Sequence, residues 1–300
     1  MNLAQLVEES ARQLQDAGVS FGHGTTNARD EAAWLVLHAL GLPLDTPLGD
    51  DDEASKRPVA QVEQAQAATL LGARIATRKP AAYLTREAWL QGVSFYVDER
   101  VIVPRSLIAE LLVYGGIDYW LQETTRKVLD LCTGNGSLGI LAAMVFPDVE
   151  VTGADISADA LAVARINVEK HALQDRITLV QSDGLQAVNG KFDLILCNPP
   201  YVNAQSMASL PAEYLAEPFI ALDGNQAGGT GDGMDFVRSL LATVGDSLSA
   251  DGVLVLEIGN ERAFFEAAFE ALEVIWLETS AGEDQVLLVT YDALRRFQAR

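Results

Sequence analysis

Apolar and polar positions follow two different periods along this chain, and the change falls near residue 88. Before it the period is helical: Leu3, Leu6, Val7 and Leu14, then Ala32, Leu35, Val36 and Ala39, recur every three to four residues. This predicts helices over 2–17 and 28–40, and a third over roughly Pro58 to Ile75. Gly41-Leu42-Pro43 ends the second, and Asp45 to Glu53 reads as an acidic loop. From Ala88 to Val103 the pattern alternates in strand fashion around Gly92, which predicts a β-hairpin; Trp89, Phe95 and Tyr96 are too apolar for a linker left in solvent. Pro104-Arg105-Ser106 then opens a helix over Leu107 to Tyr114, with Ser106 as its N-cap.

From Lys127 onward short apolar strands take turns with helices, the pattern of a parallel sheet covered on both faces. The predicted strands are Val128 to Leu131, Val149 to Ala154, Ile177 to Gln181, Phe192 to Cys197 and Gly252 to Ile258, followed by two more near Val274 to Leu277 and Gln285 to Tyr291. Helices are expected over Gly136 to Val145, Ala158 to His171, Met234 to Leu248 and Glu261 to Ala271. The glycine-rich run Asp223 to Asp235 reads as a mobile loop; it follows no clear strand and is given no phosphate-binding role. The expected layout is a small helical domain over 1–80, a hairpin linker over 81–104, and an α/β domain with a Rossmann-like sheet over 105–300.

Composition narrows the function. At 300 residues the chain can bury a full-sized core, and no apolar run approaches the ~20 residues of a membrane span. Glu8, Glu9 and Arg12 interrupt the N-terminal pattern, so no signal peptide is read and a cytoplasmic location with no membrane partner is expected. Cys132 and Cys197 each adjoin a motif and are expected as reduced thiols; with His23, His38 and His171 scattered, no metal site can be argued. The net charge of −21 is the stronger constraint, because residues 101–300 alone carry 28 acidic and 12 basic side chains. Such a field repels phosphate backbones and draws in a basic protein, so DNA is not an expected partner. The locally basic run Arg74, Arg78, Lys79 and Arg86 leaves room for a local RNA contact.

Two stretches carry chemistry. Phe192 to Cys197 is a buried-strand pattern broken by Asn198-Pro199-Pro200-Tyr201, since neither proline can donate a ladder hydrogen bond. Asn198 then sits at a strand's C-terminal edge, where ligands bind in open α/β sheets. Its side-chain oxygen and the carbonyl joining it to Pro199 can each accept one N–H of a planar NH₂ group, and Tyr201 offers a flat face. An amide and an exocyclic amine of a nucleic-acid base both answer that description. The second stretch is Asp130-Leu131-Cys132-Thr133-Gly134-Asn135-Gly136, a strand end followed at once by a helix. Gly134 and Gly136 permit close approach of a ligand, but Asp130 and the missing third glycine argue against a pyrophosphate. A cationic ligand such as S-adenosylmethionine suits them. Asp155 ends the second strand, beside Ile156, where it can accept from both ribose hydroxyls; Asp183-Gly184 ends the third, where Asp183 can accept from an adenine amino group.

With these residues assembled, the chain resembles the class I methyltransferases that modify protein glutamine side chains. Within them Tyr83-Leu84-Thr85-Arg86-Glu87-Ala88-Trp89, Val103-Pro104-Arg105-Ser106-Leu107-Ile108-Ala109-Glu110 and the Asp130 to Gly136 stretch resemble the branch acting on large-subunit ribosomal protein L-three. The sister branch, acting on peptide release factors, resembles P-R-P-E-T-E and D-x-G-T-G instead, so Ser106 and Cys132 favour the ribosomal branch. Asn135, where serine is common, and the long Asn225 to Asp232 loop depart from the pattern. The resemblance implies S-adenosylmethionine as cofactor, held by Asp130, Cys132, Thr133, Gly134, Gly136, Asp155, Ile156, Asp183, Gly184 and Asn198. It implies catalysis by Asn198, Pro199, Pro200 and Tyr201, with Arg105 joining Asn198, Pro199 and Tyr201 at the substrate, and a helical domain that recognises a basic ribosomal protein. Methylation of an adenine amino group, and a catalytically silent cofactor-binding module, are the rival readings.

Overall fold

The computed structural model describes residues 1–49 and 51–300; Asp50 of the expected acidic loop lies outside them. Helices α1 (Leu3–Asp16), α2 (Ala28–Ala39), α3 (Glu53–Lys56), α4 (Gln61–Thr77) and α5 (Ala81–Thr85) make up the N-terminal part. Asn2 and Asn27 cap the first two by accepting the N–H groups of Gln5 and Asp30, each at 2.9 Å. Leu3, Leu6, Val7 and Leu14 meet Leu35, Val36 and Leu71 in one core, as the helical period requires. That core also takes in Ala160 and Val163 of a later helix, so the bundle rests directly on the α/β part.

The expected hairpin is shorter than the alternation suggests. Strands β1 (Ala88–Leu90) and β2 (Val93–Phe95) pair antiparallel, but the ladder stops at Tyr96. There the Tyr96 N–H donates to Asn167 Oδ1 at 2.7 Å and its carbonyl accepts from Asn167 Nδ2 at 3.0 Å, so a side chain takes the bonds a strand would have made. The chain runs on irregularly to α6 (Ile108–Val113). Ser106 is not the N-cap of that helix: its hydroxyl donates to Glu257 at 2.5 Å, and Glu257 also accepts the Leu107 N–H at 2.9 Å, satisfying the helix start from across the sheet.

The remaining elements are β3 (Lys127–Leu131), α7 (Ser137–Val145), β4 (Glu150–Asp155), α8 (Ala158–Lys170), β5 (Ile177–Gln181), β6 (Phe192–Cys197), α9 (Ala204–Met207), α10 (Asp235–Thr243), β7 (Leu248–Glu257), α11 (Arg262–Ala268), β8 (Ile275–Thr279), β9 (Gly282–Thr290) and α12 (Tyr291–Gln298). The sheet order is β5-β4-β3-β6-β7-β9-β8. Its first five strands run parallel and β9 is antiparallel to both neighbours. Alternate residues feed two cores: Val128, Leu194, Leu196, Val253 and Val255 pack with α6 and α7, and Leu129, Leu131, Ile195, Leu254 and Leu256 pack with α10 and α11. The order reverses between β3 and β6, and the two motif-bearing strands are therefore neighbours, with Leu131 abreast of Cys197. No described helix is long and apolar enough to cross a membrane.

Candidate active site

The C-terminal ends of β3, β4, β5 and β6 open on a cavity of about 250 Å³. It gathers Cys132, Gly134, Asp155, Ile156, Asp183, Gly184, Asn198 and Pro200 from the residues expected at the site. Asp130, Thr133, Gly136, Pro199, Tyr201 and Arg105 do not line it.

Asp130 is fully buried under the glycine turn, where one carboxylate oxygen accepts from the Thr133 hydroxyl and from the Gly139 N–H at 2.9 Å. Its other oxygen is buried without a partner. Burial pushes the carboxyl up to about 7, against the pull of those two donors. Asp130 thus braces the turn from inside, and a cationic ligand that it suits, directly or through water, would lie beyond the turn. Thr133 is committed to Asp130 and through its N–H to the Ala154 carbonyl at 3.0 Å, while Gly136, at φ 83°, is the N-cap of α7. Cys132 adopts φ 60°, a backbone shape that costs an L-residue about 1 kcal/mol, at the position where the D-x-G-T-G pattern has glycine. Its thiol faces Cys197, and that hydrogen bond together with burial raises its pKa.

Asp155 joins the two loops of the cavity floor. Its carboxylate accepts the Gly134 N–H and the Ser157 N–H, both at 2.9 Å, and burial raises its pKa. Ser157, not Asp155, caps α8. A side chain at Gly134 would project into open space, its nearest neighbour the Cys132 carbonyl at 4.0 Å; this bare backbone faces the cavity and leaves room for a ligand. Asp183 is exposed and accepts from Gln186 at 3.1 Å.

Behind Asn198, Tyr201 is wedged above Gly259, where a Cβ would come within 2.5 Å of its ring. Its hydroxyl lies 3.5 Å from buried Glu257, and burial with that carboxylate raises the Tyr201 pKa. Arg105 is held by Glu217 through two bonds of 2.6 and 2.7 Å, with its guanidinium 5.5 Å from the centre of the Tyr214 ring. Arg105, expected at the substrate, is committed to this pairing and does not line the cavity. Burial alone would raise the Glu217 carboxyl, but Arg105 and His23, the latter 3.5 Å away, hold it down at about 2. Glu213, four residues earlier, receives Arg78 at 3.1 Å and Arg74 at 3.4 Å, and Arg74 is itself fully buried against Glu31 at 2.7 Å. The segment that follows the Asn198 motif is thus fastened to the N-terminal helices through Arg74 and Arg78, and to the run before α6 through Arg105.

Other cavity residues escaped the sequence reading. Arg100, Val101 and Ile102 come from the irregular run after the hairpin, and Pro218, Ile220, Asp223 and Gln226 from the long segment after β6. The glycine-rich stretch is bonded rather than open: Asn225 Oδ1 accepts the Gly233 N–H at 2.8 Å, and the Gln226 N–H donates to Asp235 at 2.8 Å. Its asparagine and aspartates were the available signal, since these residues bond the backbone in turns. Phe219 and Ile220 stay 64% and 56% exposed at the cavity's edge, an apolar lip on a strongly acidic molecule.

The "Methyltransferase small domain" family matches residues 117–220. Ribosomal protein uL3 glutamine methyltransferase of Bordetella pertussis is 50% identical over 295 residues, covering 97% of this chain and 96% of that protein. The chain belongs to the uL3 glutamine methyltransferase family. Its relative of that name in Neisseria meningitidis serogroup A is 45% identical over 286 residues, covering 94% of the chain and 90% of the relative. The family resemblance read from the Tyr83, Val103 and Asp130 stretches is therefore borne out, as is the enzyme class: the chain is a methyltransferase, and membership implies use of S-adenosylmethionine. Among solved structures, the hMettl16 catalytic domain in complex with MAT2A 3'UTR hairpin 6 aligns with a TM-score of 0.51 at 16% identity, covering 77% of the chain and 82% of that domain. At that identity the likeness speaks for the methyltransferase fold, which this family member shares.

Proposed function

We propose that the protein transfers a methyl group from S-adenosylmethionine to the side-chain amide nitrogen of a glutamine in ribosomal protein uL3. The observation that carries the reading is that Asn198 shares one cavity with Gly134, Asp155 and Asp183, an amide-binding group beside a set suited to a nucleoside. The cofactor supplies an electrophilic methyl on a sulfonium. Asp155 would accept from the ribose hydroxyls with the lone pairs left by Gly134 and Ser157, Asp183 would accept from the adenine amino group, and Ile156, 47% exposed, would pack against the base.

An amide nitrogen is a poor nucleophile because its lone pair is delocalised into the carbonyl. The Asn198 side-chain oxygen and the Asn198 backbone carbonyl would each take one N–H of the glutamine amide, turning the lone pair toward the methyl group. Pro199 and Pro200 keep that turn rigid, and Tyr201 backs it from its seat on Gly259. Alignment for in-line transfer then supplies most of the rate effect, and no strong base is needed because the amide loses its proton after transfer. Residues 1–80 would recognise the protein substrate, with 81–104 joining them to the methyltransferase domain over 105–300. The chain's −21 charge favours a basic ribosomal protein, and such a substrate suits a cytoplasmic setting.

The test is incubation of the purified protein with labelled cofactor and a mixture of uL3, a release factor and nucleic acids. Label should appear on a uL3 glutamine by mass spectrometry. Asn198→Ala should keep cofactor binding by calorimetry and lose transfer on the order of 10²-fold or more. Label on an adenine or on the release factor, or normal turnover by the variant, overturns the reading.

A further inference from the structure

Outside the cavity, α2 and the β1–β2 hairpin enclose a second concavity of about 310 Å³ that the methyl-transfer chemistry does not use. Asp30, Ala33 and Trp34 line it from one face of α2, Leu44 from the loop beyond, and Trp89 from β1. Trp89 is the outward residue of its strand, between buried Ala88 and Leu90, and stays 46% exposed. Trp34 is 8% exposed, and its Nε1–H is buried without an acceptor. Asp30 has no cationic partner among the described residues, because the neighbouring Arg29 turns away to Glu8 at 2.9 Å. Two indoles and an exposed carboxylate that is free of any ion pair, accepting only from Asn27 Nδ2 at 2.7 Å, thus stand at one groove. Among the described residues no lysine or arginine lines it, and the acidic loop of Asp45, Asp51, Asp52 and Glu53 begins one residue after Leu44.

We infer that this groove is a binding site for a lysine or arginine side chain of the protein substrate, held over the exposed Trp89 indole and beside the Asp30 carboxylate. A cation over an indole is attracted by the ring's negative face, and the carboxylate adds a charge-assisted bond. A phosphate is repelled by Asp30, and an aliphatic side chain gains nothing from its charge. Gly24 in the groove's wall follows buried His23, which contacts Glu217, and Pro218 after Glu217 lines the main cavity. A basic residue docked there belongs to the protein that presents the glutamine; this role rests on the function proposed above.

A labelled ten-residue lysine-rich peptide without glutamine, titrated at low salt and followed by anisotropy, tests the groove without methyl transfer. The wild type should bind it, and the double variant Trp89→Ala, Asp30→Asn should bind about five- to tenfold more weakly; Trp89→Phe alone should stay near wild type. Both side chains are exposed, so folding is expected to survive, and circular dichroism with cofactor titration checks that it does. With uL3 as substrate the double variant should raise KM by a similar factor and leave kcat within about twofold. Unchanged peptide affinity in the double variant, or equal displacement of the peptide by a glutamate-rich peptide or a single-stranded oligonucleotide, overturns the inference. If the wild type fails to methylate uL3, the proposed substrate is wrong, while the peptide titration still decides the groove.

Discussion

Two carboxyl groups are buried on either side of the main cavity, and the protein treats them in opposite ways. Asp130, beneath the glycine turn, has only a hydroxyl and a backbone N–H for partners, and its pKa climbs to about 7. Glu217, in the segment after β6, meets Arg105 and His23 and falls to about 2. Burial is common to both, so the presence of a cation decides which keeps its charge. Each arrangement suits its place. An acid that need not ionise can shape a tight turn from inside without demanding a counter-ion that would crowd the ligand. A fixed charge instead fastens together pieces of chain more than a hundred residues apart.

The Glu217 side is the easier to disturb. Glu217→Gln leaves the Arg105 guanidinium without its anion, and because Arg105 is partly exposed the expected loss is about 2–3 kcal/mol of unfolding free energy by urea titration. A loss below about 0.5 kcal/mol would mean that the pair fastens nothing. Asp130→Asn probes the opposite case. A carboxyl whose folded pKa is raised above its unfolded value near 3.8 stabilises fully below that value, and this stability drains as pH rises through about 7. Between pH 5 and 7 the wild type should therefore lose about 2 kcal/mol through this group, at ~1.4 kcal/mol for each step of one in pH, and the variant's stability should be flatter over the same range. Identical slopes would remove Asp130 as their source. The smallest effect is expected at Asp155, which is half-buried where Asp130 is fully buried and opens on the cavity. Asp155→Ala should raise the dissociation constant for S-adenosylmethionine about tenfold in a calorimetric titration, roughly 1.4 kcal/mol, with the fold kept. An unchanged constant would make Asp155 a brace for Gly134 alone.

The same contrast marks what the sequence could and could not disclose. Strand Phe192–Cys197 and the break after it were legible to the residue, because a parallel strand buried on both faces leaves a continuous apolar signature that proline ends. Short-range chemistry at strand ends was legible too: Gly134, Asp155, Asp183 and Asn198 lie together because the sheet order brings their strands side by side. The C-terminal helix α12 was missed although Thr290 caps it and Asp292, Leu294 and Arg295 follow at suitable places; its start was credited to the preceding strand. Arg105 and Ser106 were read as ligand contact and helix cap because their partners, Glu217 and Glu257, are 112 and 151 residues away. Nothing in local spacing points to a partner so distant. Trp34 and Asp30 fell inside the helix predicted over 28–40 and were given no role, since the groove needs the hairpin to close it.

The arginine clasp on Glu213 and Glu217 bears on how such a protein can be inherited. A recombination event that replaced the first eighty residues with those of a distant relative would exchange what looks like a tidy module, cut at a natural joint. It would in fact separate Arg74 and Arg78 from Glu213, and His23 from Glu217, stranding charges in the interior of the hybrid. The true unit of descent is discontinuous, the N-terminal helices together with the stretch around 213–217. Drift in one half should be answered in the other, and a chimera carrying both halves from the same parent should fold where the simple swap does not.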